Sequence, residues 1–265
     1  MDIDNFRRKI DDIDRHILGL LNERVALVGM IGEAKRVEGG SVYVPAREEA
    51  LIQKLLMANT GSLKEEEIRP IFREIISACI ARQKKLAIGF LEPESTCTRR
   101  AALKHFGSSL GYKSYNALPK LLDAVLHKEI DFCVVPAEST AYGLAFDIFD
   151  DVARSGLKIA TQVQLASDHW RFFVLGREPQ IFSANVPWQT SLYIKFAESL
   201  QQDLDIFAAH GLECTKAKEH PTRKGLAYVD VLGHWDDMQK AAQELEVLGS
   251  TVQWLGSYPH VKLLK

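Results

Sequence analysis

The chain has 265 residues, 46% of them hydrophobic and 26% charged, which is the composition of a globular protein of one to three domains. Its formal net charge of −2 gives no reason to expect nucleic acid or a membrane as a partner. No apolar run approaches the roughly 18 to 20 residues of a spanning helix, and the acidic N-terminus lacks the pattern of a signal peptide. The four cysteines show no metal-ligand spacing, so we expect a cytoplasmic protein with free thiols and no metal site.

A long amphipathic helix is predicted from about Asp4 to Val37. Its apolar residues recur at alternating steps of three and four, the period of a helix that packs along its length on other helices: Ile3, Phe6, Ile10, Ile13, Ile17, Leu20, Leu27, Ile31 and Ala34. Arg24 occupies a position in this seam where an apolar residue is expected, and a buried guanidinium is costly unless an anion meets it. Lys35 follows three turns later, about 16 Å along the same face. Two such cations can enclose a small polyanion, and a structural ion pair is the alternative.

Two further helices are predicted before residue 88. The Gly39–Gly40 turn precedes a second helix over 45–59 that begins with a proline, as helices often do. Ser62 and Glu65 match a capping box and are expected to open a third helix. Pro70 falls inside this pattern and should kink the helix or mark a later start.

The hydrophobic period changes at about residue 88. Short apolar runs of strand type (AIGFL, DFCVVP, LKIATQVQL, RFFVLG) alternate with helical stretches, which predicts an α/β lobe. A polar stretch near 177–188 resembles a linker, and the remaining sequence has the β-α-β-β-α-β order of a ferredoxin-like fold. The predicted organisation is therefore a helical domain, a single α/β lobe and an α+β domain, over 1–87, 88–178 and 188–265.

The helical segment resembles a known enzyme domain. The stretches FRRKIDDIDRHILGLLNERVALVGMIGEAK, PAREE and IFREIISACIARQ are similar to the all-α chorismate mutase domain. The order of the three segments resembles the bifunctional chorismate mutase–prephenate dehydratase family, whose chains end in an ACT regulatory domain. The resemblance implies the rearrangement of chorismate to prephenate in aromatic amino acid biosynthesis, by a homodimer that uses no cofactor and no metal.

Carried over residue by residue, the resemblance implies four catalytic positions. Arg24 would hold one carboxylate of chorismate, and Lys35 a carboxylate and the ether oxygen. Glu48 would hold the ring hydroxyl, and Gln83 would face the ether oxygen. The reaction is unimolecular and pericyclic, so it needs a dianion held in a compact shape and donors aimed at the breaking bond. Taken singly, each residue is more often solvated or ion-paired than catalytic, whereas all of them together, in this order and spacing, favour the site.

Three more positions would contact the substrate. Arg7 matches an arginine that such enzymes contribute from the partner subunit, and it lies about 100° around the helix from Arg24, which favours a site shared across a dimer. Arg47 stands beside the acid of the second helix. Cys79 stands where some relatives have serine, and Val44 where many have aspartate.

The middle segment resembles a prephenate dehydratase with altered motifs. In the family's G-P-x-G-T-Y-S pattern, Glu92, Ser95 and Cys97 replace the two glycines and the tyrosine, and its V-V-P-I-E-N-S motif is matched by Val134–Thr140. A second α/β lobe is missing, and Trp170 stands at the threonine of the family's T-R-F. We therefore expect no working dehydratase, because a cleft between two lobes loses a wall when one lobe is absent. A spacer role or a new small-ligand site at the strand ends are the two readings of this lobe.

The last segment resembles an ACT domain that has lost its effector loop. The family's G-A-L turn lets the backbone approach an amino acid, and AESLQQ (Ala197 to Gln202) stands there without glycine. The family's E-S-R-P is replaced by KEHP, whereas the terminal WLGSYP matches. The fold is expected to be kept, with dimerisation rather than phenylalanine binding as its role.

Three hypotheses remain at the level of sequence. The first is a dimeric, cofactor-free chorismate mutase without dehydratase activity. The second is a bifunctional chorismate mutase/prephenate dehydratase. The third is a non-catalytic regulatory dimer that binds an aromatic metabolite, against which the charged positions of the helical domain argue. Whether the prephenate feeds primary or specialised metabolism is left open.

Overall fold

The computed structural model describes residues 2–38, 42–91, 95–165 and 170–260, without the side chains of 35–38, 95 and 96. The predicted turn at Gly39–Gly40 and the altered position Glu92 lie outside these residues. The helices of the described part are α1 (Ile3–Glu38), α2 (Pro45–Ala58), α3 (Glu65–Gln83), α4 (Ser95–Phe106), α5 (Leu118–Leu126), α6 (Phe146–Ser155), α7 (Leu200–Ala209) and α8 (Trp235–Val247). The strands are β1 (Ala87–Leu91), β2 (Gly111–Tyr115), β3 (Phe132–Ser139), β4 (Gly143–Leu144), β5 (Lys158–Leu165), β6 (Trp170–Gly176), β7 (Trp188–Lys195), β8 (Cys214–Glu219), β9 (Leu226–Leu232) and β10 (Thr251–Pro259).

The first helix packs on the rest of the chain only through its C-terminal half. At buried Gly32, an added Cβ would lie 3.0 Å from Gln83 Cγ of α3, so glycine permits the close approach of the two helices. The apolar seam from Ile3 to Leu20, which the periodicity predicts to be buried, is 47–66% exposed in the single chain. Although α1 is long enough to span a bilayer, no helix of the described residues combines that length with sufficient apolar character.

The start of α3 differs from the prediction. The capping box proposed for Ser62 and Glu65 is wrong: Lys64 is the N-cap residue, and its backbone N–H donates to the Glu67 carboxylate at 2.8 Å. The helix continues through Pro70 instead of starting after it. A Glu three residues after the N-cap residue marks the start of a helix. Both Ser62 with Glu65 and Lys64 with Glu67 have this spacing, and the structure uses the second pair.

The middle lobe is built on a mixed sheet of order β2-β1-β3-β6-β5, with β4 on β3. Strand β1 is parallel to β2 and β3, whereas β6 is antiparallel to β3 and β5. The three helices predicted between the strands of this lobe are confirmed as α4, α5 and α6. The sequence did not predict β2, an edge strand whose residues are mostly exposed and carry no apolar run.

The last segment forms an antiparallel sheet of order β10-β7-β9-β8 with α7 and α8 as its crossovers, which is the ferredoxin-like topology that the sequence predicts. The ferredoxin-like domain packs on one face of the lobe sheet, and the helices α2, α3 and α4 pack on the opposite face. Alternate residues of β3 divide between the two cores: Val134 faces Ile76 and Ile80 of α3, and Val135 faces the core that contains Tyr228 and Tyr258. The three segments are thus joined by shared cores, and the exact domain boundaries stay a prediction.

Candidate active site

A cavity of about 660 Å³ lies between α1, α2 and α3. Five of the seven residues that the sequence singles out line it, although they come from three different helices: Arg24, Arg47, Glu48, Cys79 and Gln83. Apolar side chains fill the intervals between them, including Val28, Ile31 and Ile80. The cavity is therefore largely apolar with a small number of convergent polar groups, the usual character of a small-molecule site.

Arg24 projects from α1 towards α3. Its Nη1 donates to Cys79 Sγ at 2.7 Å, and no carboxylate of the described residues forms an ion pair with it. A thiol is a weak acceptor that leaves most of the five guanidinium donors unused. The Arg24 side chain is half-buried and lines the cavity, so its guanidinium can form an ion pair with an anionic ligand.

Glu48 lies in the first turn of α2, beside the cavity, and is 9% exposed. Its Oε2 is 2.5 Å from Arg73 Nη1 of α3. Burial raises the pKa of the Glu48 carboxyl, and Arg73 acts in the opposite direction through its charge and its hydrogen bond. The guanidinium thus favours the carboxylate form, which can accept a hydrogen bond from a hydroxyl group.

Gln83 closes the cavity at the C-terminal end of α3. Its Nε2 donates to the Val28 carbonyl oxygen at 2.7 Å, which fixes the amide beside α1. One of the two amide hydrogens and the amide oxygen are left for other partners. The side chain stays neutral at every accessible pH, so its hydrogen bonding does not depend on a proton equilibrium.

Arg7 and Lys35 do not join this group within the described chain. Arg7 lies near the exposed N-terminal end of α1, where its side chain is 73% exposed and its Nη1 is 3.3 Å from Asp4 Oδ1. The backbone of Lys35 lies three turns beyond Arg24 on α1, as predicted, but its side chain is outside the described atoms.

Sequence reasoning missed three parts of this site: Arg73, which pairs with Glu48 without lining the cavity itself, and two parts of the lining. Arg73 was overlooked although it lies on the same face of α3 as Gln83, through steps of three, four and three by way of Ile76 and Ile80. Lys54 lines the cavity two turns after Arg47 on α2. The third contributor is the segment 181–185, which the sequence identified only as part of a linker.

A second cavity, of about 360 Å³, lies between the lobe sheet and the ferredoxin-like sheet. The lobe contributes Glu138, Ser139, Thr140 and Arg171, and the other sheet contributes Thr215, Lys216 and Asp230. The expectation that this lobe has no opposite wall is therefore wrong. The ferredoxin-like domain covers the strand ends that a second lobe would otherwise face.

Ion pairs connect the two walls of this second cavity. Arg171 Nη1 is 2.9 Å from Asp230 Oδ2, and its Nη2 donates to Tyr228 Oη at 2.9 Å. Glu138 is paired with Lys216, and its Oε2 is 3.6 Å from Arg171 Nε. Trp170, in place of the family's threonine, lies opposite Ser139 in the strand pairing. The charges of the cavity are thus largely neutralised by one another.

Comparisons with known proteins agree with this architecture. Residues 6–84 match the family described as chorismate mutase type II, and residues 88–180 match the prephenate dehydratase family. The bifunctional chorismate mutase/prephenate dehydratase of Aquifex aeolicus is 37% identical over 166 residues, which are 61% of this chain and 46% of that protein. The enzyme of the same name from Neisseria gonorrhoeae is 35% identical over 163 residues, 62% of this chain and 44% of that protein.

The fold of the latter part of the chain also has a solved counterpart. A prephenate dehydratase from Streptococcus mutans superposes with a TM-score of 0.56 at 23% identity, over 66% of this chain and 98% of that one. At that identity the likeness concerns the fold alone. The chain spans less than half the length of the two curated relatives named above.

The helices and their cavity define a chorismate mutase domain of the all-helical class, followed by a lobe of the prephenate dehydratase type. Residues 6–84 thus belong to the chorismate mutase type II family and residues 88–180 to the prephenate dehydratase family, in the combination that gives the two bifunctional relatives their name.

Proposed function

We propose that the protein is a chorismate mutase that converts chorismate to prephenate in the cavity between α1, α2 and α3. The observation that carries the proposal is the meeting of Arg24, Glu48 and Gln83 around one cavity, with no carboxylate of the described residues paired to the Arg24 guanidinium. A dicarboxylate substrate supplies the anion that this guanidinium lacks. Arg47 and Lys54 of α2 add two further cations to the same cavity.

The roles follow from the chemistry of a pericyclic rearrangement. Arg24 binds one carboxylate, and Lys35 binds the other together with the ether oxygen. The Glu48 carboxyl group, paired with Arg73, accepts the hydrogen bond of the ring hydroxyl and so orients the ring. Gln83 offers a neutral donor to the ether oxygen as its bond to the ring breaks. No proton is transferred, so the rate gain comes from holding the compact conformer and from preorganised charge.

We propose that the active unit is a homodimer. The seam residues of α1 from Ile3 to Leu20 are about half exposed or more in a single chain, and a second copy of α1 is a partner of matching period. Arg7 is too far around the helix from Arg24 to share its pocket, so it would serve the site of the partner subunit. The site would then contain residues of both chains.

The test is turnover of chorismate by the purified protein, followed by the loss of chorismate absorbance and by identification of prephenate. EDTA should have no effect. The proposal fails if a correctly folded protein shows no turnover at millimolar chorismate.

A bifunctional enzyme is the second candidate, and the similarity of residues 88–180 to prephenate dehydratases favours it. The cavity that contains Glu138, Ser139 and Arg171 lies between two walls and offers polar side chains to a small ligand. Against it stand the mutual pairing of the cavity's charges and the replacement of the family's threonine by Trp170. We retain the proposal of a mutase without dehydratase activity, and phenylpyruvate formation decides between the two.

We also propose that the ferredoxin-like domain is an ACT-like domain whose role is dimerisation. The loop Ala197–Ser199 before α7 contains no glycine to bring the backbone close to an amino acid. Phenylalanine at millimolar concentration should therefore leave mutase activity unchanged. A regulatory dimer without catalysis is the remaining alternative, and detectable mutase turnover rules it out. These roles fit a biosynthetic enzyme, and we propose that it acts in the cytoplasm.

A further inference from the structure

The segment 181–185 joins the lobe to the ferredoxin-like domain, yet it lies against the cavity of the helical domain. Ile181, Phe182, Ser183 and Asn185 all line that cavity. We propose that this segment is the specificity-determining wall of the mutase site and that the ferredoxin-like domain holds it in place. This inference rests on the proposed mutase function and extends it to residues outside the mutase domain.

The segment is anchored to the ferredoxin-like domain. Trp188, the first residue of β7, donates from Nε1 to the Ser183 carbonyl oxygen at 2.7 Å. The Phe182 ring stacks on Trp188 with centroids 5.9 Å apart and planes at 28°. Both rings also pack against the imidazole of His234, the N-cap residue of α8. The ring centroids of Phe182 and Trp188 lie 5.2 and 4.9 Å from that of His234. A displacement of β7 or α8 would therefore move the wall.

The same anchor touches α2 directly. Trp188 and Val186 form a buried cluster with Ala46, and Ala50 packs against it. Ala46 precedes Arg47 and Glu48, which line the cavity. The first turn of α2 is thus positioned from one side by the ferredoxin-like domain and from the other by the Glu48–Arg73 ion pair.

The chemistry of the wall differs from that of the rest of the cavity. Ile181 and Phe182 are 71% and 51% exposed, although both are large and apolar, and they lie at the edge of a cavity that contains four charged side chains. Large apolar side chains in a cavity that also contains cations suit a ligand with carboxylates and an unsaturated ring. The ring would cover Phe182, and a substituent that widened the ring would collide with Asn185.

Bulk added at Asn185 tests the wall directly. Asn185 is exposed, so Asn185→Trp adds volume at the cavity mouth without disturbing a core. The matched control is Asn116→Trp, at an exposed position on the lobe outside the cavity. We expect Asn185→Trp to raise the KM for chorismate at least fivefold, with kcat changed much less, and Asn116→Trp to leave both constants unaltered. Thermal unfolding midpoints verify that both variants are folded.

Removal of the apolar ring is the second test. Phe182→Ala should raise KM at least threefold, whereas Leu248→Ala, which removes a side chain of nearly equal exposure (50%) at the end of α8, should not. If the wild-type protein turns over chorismate and both wall variants behave as their controls, the wall proposal is overturned and the proposed function stands. If the wild-type protein shows no turnover, both proposals fall together.

Discussion

Arg73 Nη1 lies 2.5 Å from Glu48 Oε2, and this ion pair joins α3 to α2 beside the cavity of the mutase domain. Both side chains are largely buried, with 14% and 11% exposure. Taking two charges out of water is costly, so the pair contributes less to stability than its geometry suggests, while the loss of one partner leaves the other charge buried and alone. The pair therefore has a positioning role as much as a stabilising one: it aims the Glu48 carboxylate at the cavity.

Substitution of one partner should cost more than substitution of both. Arg73→Met should lower the free energy of unfolding by roughly 2–4 kcal/mol, because Glu48 is left buried without a counter-charge. The double variant Glu48→Leu/Arg73→Met should recover much of that loss, since no unpaired charge remains. Urea unfolding of the two single variants and the double variant measures the coupling. Additive effects would mean that the two side chains act independently.

Arg24 should be indispensable for turnover. Arg24→Ala should lower kcat/KM by roughly 10² or more, as expected on removal of a preorganised charge, and Lys35→Ala should have a comparable effect. Arg15→Ala is a suitable control, because Arg15 lies on the exposed part of the same helix and pairs only locally with Asp12. Steady-state kinetics on folded protein provides the measurement. Losses below about threefold at Arg24 would assign it a structural role.

A mixed-dimer experiment tests whether Arg7 serves the partner subunit. Homodimers of Arg7→Ala and of Lys35→Ala should each be nearly inactive. After subunit exchange, a heterodimer has one site with both defects and one site with neither, so activity should partly return. Exchange is verified with differently tagged chains. An absence of recovery despite proven exchange would place Arg7 outside the partner's site.

Acidification should destabilise the protein through His105. His105 is half-buried, its Nε2 contacts Tyr43 Oη, and the loss of solvent around the ring together with the nearby Arg73 charge holds its pKa well below the ordinary value of 6.5. The unfolded chain takes up this proton below about pH 6.5 and the folded chain does not. Lowering the pH should therefore lower the free energy of unfolding, by up to about 1.4 kcal/mol per pH unit for this group.

Urea unfolding at several pH values between about 7.5 and 5.5 checks this. Glu48 acts with the opposite sign, because its raised pKa makes the folded chain bind the proton more readily than the unfolded one. The difference between wild type and His105→Gln isolates the histidine. The glutamine variant, which keeps an acceptor for Tyr43, should show a flatter pH dependence. Parallel slopes for the two proteins would contradict the assignment to His105.

Prephenate should persist in the presence of the protein at neutral pH. Glu138 is paired with Lys216, and Asp230 with Arg171, so neither of these two carboxyl groups of the cavity is available as an acid for the departing hydroxyl group. Phenylpyruvate is measured against a blank, since prephenate aromatises spontaneously in acid. Formation that is proportional to protein and lost in Lys216→Ala would establish the bifunctional alternative, with the ferredoxin-like domain as the second wall.

The sequence alone determined the features that arise from local periodicity and from covalent spacing. Apolar residues at steps of three and four predict α1 independently of its tertiary contacts. The same pattern showed that Arg24 is a charged residue in an apolar seam. Proline at the first turn of α2 and the β-α-β-β-α-β order of the last segment are likewise local signals that the structure reproduces. Helix ends were less certain, as the start of α3 at Glu65 after Lys64 shows, because neighbouring residues offer competing caps.

Only the tertiary structure decided which distant side chains meet. Arg73 and Glu48 pair across 25 positions, and Asn185 lines the same cavity as Glu48 from more than 100 positions away, so no periodicity could bring these residues together. The second wall of the other cavity likewise depends on how the ferredoxin-like sheet packs over the lobe, with Arg171 paired to Asp230 across 59 positions. Such contacts depend on the burial of whole apolar faces. The hydrophobic effect that drives this burial is non-directional and is summed over many residues. The sequence therefore predicted which residues would hold a small dianion, and the packing of the lobe and the ferredoxin-like domain decided what encloses them.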